Sequence, residues 1–174
     1  MSKKQPAKSA DAKFGVGQHV VYPAHGVGRV SGVENQEVAG MKLEVYVVAF
    51  EQDELILRLP TARAEAAGMR PLASARIVND ALKTLGGRAR IKRTMWSRRA
   101  QEYEAKINSG NLIQIAEVVR DLHRAEDQPD QSYSERQLYE SALDRMAREL
   151  AAVENIEHDK AVEKLSKSLA KRAA

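Results

Sequence analysis

A chain of 174 residues, 43% of them hydrophobic, is long enough for one ordinary domain or two small ones and too apolar to be disordered throughout. It has no cysteine, which excludes disulfides, thiolate metal sites and cysteine nucleophiles, and no apolar run nears the roughly 20 residues of a membrane span. The net charge of +4 is unevenly spread. Lys and Arg stand against Asp and Glu as 4 to 1 in residues 1–13, 7 to 8 in 14–87, 9 to 4 in 88–124 and 8 to 11 in 125–174. The mid-chain excess points to an acidic partner, nucleic acid first among candidates.

Residues 1–13 read as a disordered basic tail without the apolar stretch of a signal peptide, so a soluble cytoplasmic protein is expected. From Phe14 to Pro60 the texture is that of β-structure. Gln18 to Tyr22 is short and valine-rich, and Pro23, Gly26 and Gly28 supply turn chemistry. Gly28 to Val38 and Lys42 to Phe50 flank Ala39-Gly40, a hairpin turn. Glu51 to Asp53 turns the chain into Leu55 to Leu59, so four or five short antiparallel strands are predicted. A sheet of this size is marginal alone. Residues 61–73 read as a connector, with an alanine-rich piece ending at Gly68.

Residues 74–170 then carry a helical period. Helices are predicted for Ser74 to Leu85, about Thr94 to Asn108, and Asn111 to Arg124, the last with Leu112, Ile115, Ala116, Val119 and Leu122 on one face. Ser134 with Gln137 suggests a capping box opening a fourth, whose Leu138, Ala142, Met146 and Leu150 recur every four residues. A last helix near Ile156 to Leu169 carries Val162, Leu165 and Leu169. The fold class is therefore α+β, a small antiparallel β-domain followed by a compact helical bundle.

The strongest chemical signal is the run from Arg88 to Arg99. It holds Arg88, Arg90, Lys92, Arg93, Arg98 and Arg99, no acid, and the chain's only tryptophan, Trp96. Such cations neutralise phosphates and release counterions. An indole in the first turn of a helix, ringed by them, could stack on a base or wedge into a base step. The competing reading makes Trp96 a core anchor and the arginines a solvated face. Enzyme readings are poor. His19, His25, His123 and His158 lack metal-ligand spacing, Glu51, Asp53 and Glu54 read as a solvated turn, and Gly15-x-Gly17 and Gly26-x-Gly28 do not continue as phosphate loops. No cofactor is expected.

Phe14-x-Val16-Gly17-x-x-Val20-Val21-Tyr22-Pro23-x-His25-Gly26-Val27-Gly28 resembles the opening of the CarD and CdnL family, shared with the polymerase-interacting domain of transcription-repair coupling factor. Trp96-Ser97-Arg98-Arg99, Ser109-Gly110 and Ala116 to Leu122 resemble the family's helical domain. Together the blocks cover about residues 14–155. The resemblance implies that a Tudor-like sheet, residues 14–60, pairs with a strand of the RNA polymerase β subunit, Arg58 matching a contact there. It also implies that the helical domain lies on promoter DNA at the upstream edge of the melted bubble. There Trp96 would wedge into the minor groove, with Arg93, Arg98, Arg99 and Arg136 as basic DNA contacts. Where the family has a second basic β-subunit contact, this chain carries Gln36. The expectation is a monomeric, nucleoid-associated, non-enzymatic regulator that stabilises the open promoter complex. The alternative is a sequence-tolerant architectural DNA-binding protein acting without polymerase.

Overall fold

The computed structural model describes residues 14–125 and 128–171. The basic tail expected at 1–13 lies outside them. The chain divides into two compact units, one holding residues 14–22 and 28–71 and the other residues 23–27 and 72 onward.

The first unit is a five-stranded sheet of β1 (His19–Tyr22), β2 (Gly26–Val38), β3 (Met41–Phe50), β4 (Leu55–Pro60) and β5 (Arg70–Pro71). Its order is β4-β3-β2-β1-β5, so β4 and β5 are the edges. The pairs β2–β3, β3–β4 and β1–β5 are antiparallel. The β2–β3 hairpin closes at Val38↔Met41, with Ala39 at φ 52° and Gly40 at φ 76°. Two successive positive φ values twist the turn to match the strands it joins. Val20, Val30, Tyr46, Val48, Phe50, Ala64 and Met69 form the core, and Phe14 meets Tyr46 edge-on at 5.7 Å. Gly28 is required here, because a Cβ would lie 2.7 Å from the Phe50 ring and 2.9 Å from Val48. Strand β5 comes from the segment read as a connector; two residues that include a proline carry no alternation to reveal them.

The second unit contains α1 (Ala75–Leu85), α2 (Trp96–Ile107), α3 (Leu112–Leu122), α4 (Tyr133–Glu154) and α5 (His158–Ala170). This is the α+β class expected. The predicted face of α3 is buried throughout, and Val118, Arg120 and Asp121 are buried with it. Ala142, Met146 and Leu150 of α4 and Leu165 and Leu169 of α5 close the core around it. Glu149, also buried, accepts a hydrogen bond from the Ala73 N–H at 2.8 Å. Ser74 and Asn111 cap α1 and α3 by accepting from the N–H groups of Ile77 and Gln114. The cap of α4 is Ser132, accepting from the Glu135 N–H, and not Ser134 with Gln137 as expected. Two overlapping patterns compete here, and in the one adopted Glu135 also pairs through its side chain with Arg124 at 3.0 Å.

Candidate nucleic-acid interface and sheet edge

Between α1 and α2 the chain runs without helix or strand from residue 88 to residue 95, and the side chains of Arg88, Arg90, Lys92 and Arg93 are exposed along it. One anchor ties this segment down. The buried Asp121 carboxylate accepts from the Arg90 N–H at 2.9 Å and pairs with the equally buried Arg120 at 2.8 Å through the same oxygen. Lys92 leans toward Glu102 at 3.3 Å.

Helix α2 begins with Met95 as its cap residue, no side chain caps it, and no acid lies in its first turn. The N–H groups of Arg98 and Arg99 bond to the Met95 carbonyl, both at 3.1 Å. A helix start carries partial positive charge that acidic side chains ordinarily offset. Here Arg93, Arg98 and Arg99 add to it instead, an arrangement suited to an external anion.

Trp96 opens α2. It is half-buried, its ring packed against the helical core, 6.3 Å from Tyr103 and tilted 49° to it. The Arg99 guanidinium lies over both rings, at 5.4 Å from Trp96 and 5.8 Å from Tyr103, and donates to the Tyr103 hydroxyl at 3.2 Å. Trp96 thus lies between the two sequence readings, with one side on the core and one side open. Reasoning from sequence missed its neighbours Met95, 78% exposed, and Ile91, 45% exposed. Large apolar residues inside a cationic stretch were the signal. The surface around Trp96 is therefore apolar as well as basic.

Arg93 and Arg98 are exposed beside Trp96, whereas Arg99 is half-buried. Arg136 is exposed in the first turn of α4, near Tyr133, which is 79% exposed. Arg58 belongs to the other unit. On edge strand β4 the residues alternate, Leu55, Leu57 and Leu59 packing on the sheet core while Ile56 and Arg58 face outward. Arg58 meets Glu34 of β2 at 3.8 Å, both half-exposed, and Ile56 is 57% exposed. Gln36 lies farther along β2, opposite Leu43.

Two of the histidines that read poorly as ligands make polar side-chain contacts within the helical unit. His123 Nδ1 meets the Tyr139 hydroxyl at 3.1 Å, and burial pushes that hydroxyl's pKa up from its ordinary value. His158 meets Asp144 at 3.1 Å. Among the described residues no cluster of His, Asp and Glu is placed to hold a metal ion, and no helix is long and apolar enough to cross a membrane.

Comparison with known proteins divides the chain as the fold does. Residues 14–73 match the model of the CarD-like/TRCF RID domain, and residues 80–166 match that of the CarD C-terminal domain. A curated relative is the putative transcription factor YdeB of Bacillus subtilis (strain 168). It is 25% identical over 143 residues, covering 82% of this chain and 94% of its own. The solution NMR structure of the 72-residue N-terminal domain of Myxococcus xanthus CarD is 38% identical. It covers 42% of this chain and 97% of that one, with a TM-score of 0.31. With one model spanning half of the sequence and the other spanning most of what precedes it, the chain belongs to the CarD family.

Proposed function

We propose that this protein docks on the β subunit of bacterial RNA polymerase through its sheet unit and stabilises the open promoter complex through its helical unit. Its family is one of transcription factors rather than enzymes. In this reading edge strand β4 adds to a strand of the polymerase, with Arg58 and Ile56 on its outward face contributing selectivity. Trp96 enters the minor groove at the upstream edge of the bubble, and the exposed cations of this surface, Arg93 and Arg98 among them, hold the phosphates.

The observation that carries the proposal is the environment of Trp96. A half-exposed indole at the start of an uncapped helix, flanked by exposed Met95 and by Arg93 and Arg98, has little reason to be there unless it meets a partner both apolar and anionic. A partly unstacked base step at a bubble edge is such a partner. The open edge of β4 favours action with polymerase over action on DNA alone, because a purely architectural DNA binder has no use for it.

The test is the lifetime of open complexes after a competitor traps free polymerase. Trp96→Ala should shorten that lifetime while polymerase still co-purifies with the protein. An undiminished lifetime with a folded variant would sink the wedge.

A further inference from the structure

Arg99 differs from the other cations of this surface. Trp96, Arg99 and Tyr103 stand three and four residues apart, so they stack along one face of α2. The guanidinium lies against both rings, 5.4 Å from one centroid and 5.8 Å from the other, while the rings themselves are 6.3 Å apart. One terminal nitrogen is committed to the Tyr103 hydroxyl, and Nε is buried without a hydrogen-bond partner among the described residues. An arginine reaching for a phosphate would offer its planar fork to solvent and would not bear the desolvation of Nε. Arg98, one residue earlier, is exposed and does offer it.

We infer that Arg99 is a positioning residue for Trp96: it holds the indole in one orientation between helix and duplex and contacts no phosphate itself. The inference rests on Trp96 being the group that enters the DNA. A planar, delocalised cation suits the task, because it stacks on aromatic faces where a compact ammonium cannot. Tyr103, 7% exposed, is the fixed wall, Arg99 the clamp that flanks both rings and Trp96 the presented group. The indole then meets DNA with its side-chain freedom already restricted, so less ordering remains for the binding step.

Trp96 is the chain's only tryptophan, so its fluorescence reports this one side chain. In the full-length protein without DNA, Arg99→Gln and Arg99→Lys should both raise acrylamide quenching and lower anisotropy. Lysine should do so about as much as glutamine, since it keeps the charge but not the plane. Affinity for a premelted, bubble-containing promoter duplex should fall about two- to fivefold in both, the worth of a partly exposed cation–π contact. On intact duplex the slope of log affinity against log salt should not change in Arg99→Gln, whereas Arg98→Gln should flatten it by roughly one contact.

A slope flattened by one in Arg99→Gln overturns the proposal whatever the fluorescence does. So does unchanged quenching, a lysine variant that behaves as wild type, or undiminished affinity for the bubble duplex. Should Arg99→Gln fail to fold, Tyr103→Phe decides. Removing the hydroxyl that anchors the guanidinium should raise quenching, and no rise rejects the clamp. The fluorescence arm needs neither DNA nor polymerase, so it stands even where Trp96→Ala leaves open-complex lifetime unchanged.

Discussion

At Trp96 a single side chain has one flank in the core and the other toward solvent, and the two flanks predict different losses on truncation. A fully buried tryptophan replaced by alanine costs about 3–5 kcal/mol, and a surface one within about 0.5 kcal/mol. Half burial against the α1–α5 core places Trp96→Ala between them, at about 1–2 kcal/mol, read as a modest fall in melting temperature. A loss above about 4 kcal/mol would make it a core anchor. Asp121 makes a sharper case. Its carboxylate serves Arg120 and the Arg90 N–H from one oxygen, so Asp121→Ala breaks a buried ion pair and releases the basic segment together. Denaturant unfolding should show a loss of about 3–5 kcal/mol, and a loss under 1 kcal/mol would mean the pair is not what holds the segment. Neither the half burial nor the Asp121 anchor was legible in the sequence. Composition announced a tryptophan among cations, but which flank faces the core depends on where Tyr103 and Arg99 fall in three dimensions. Asp121 entered the sequence reading only as part of the block from Ala116 to Leu122, with no role of its own.

Among the elements, helices and the central hairpin were legible because each bears its own period and its own punctuation. Leu112, Ile115, Ala116, Val119 and Leu122 recur at helical spacing and are all buried, and Ala39-Gly40 turns where expected. What escaped was information shared between elements. Glu135, whose N–H the α4 cap uses, takes its side-chain partner Arg124 from beyond the end of α3, and strand β5 exists only because β1 is there to pair with Arg70 and Pro71. Edge strand β4 is the element on which the proposed docking turns. Its Arg58 pairs with Glu34 at 3.8 Å, and a half-exposed pair of that length contributes about 0.2–1 kcal/mol, so it yields readily to a competing acid. Arg58→Glu sets two carboxylates face to face and reverses the charge offered to a partner. The fold should survive, since Arg58 and Glu34 stand on β4 and β2 with β3 between them, and an exposed charge pair of this kind is worth no more than about 1 kcal/mol. Co-purification with polymerase should drop further than in Arg58→Ala. Equal recovery of both variants with wild type would place the docking surface elsewhere.

For the molecule as a whole, the consequence of two separate surfaces lies in how their affinities combine. A single small basic patch neutralises few phosphates, so its proposed grip on isolated duplex should be weak and should fall with salt. If the other unit docks on polymerase as proposed, the same patch would meet promoter DNA at an effective concentration set by the linkage, without any new contact. Docking and wedging should then appear as different parameters of one titration, in which open-complex lifetime is followed as protein is added. Arg58→Glu weakens delivery, so half-saturation should move to higher protein concentration while the plateau lifetime stays that of wild type. Trp96→Ala leaves delivery intact, so half-saturation should hold and the plateau should fall. The double variant should show both changes with little cross-term, because the two residues belong to different units and share no partner. A lowered plateau in Arg58→Glu would mean that the sheet edge shapes the bound state instead of supplying it. A shifted midpoint in Trp96→Ala would mean that the indole helps recruit the protein before the bubble forms. Either result breaks the division of labour between edge strand and wedge, and only the separated pattern sustains it.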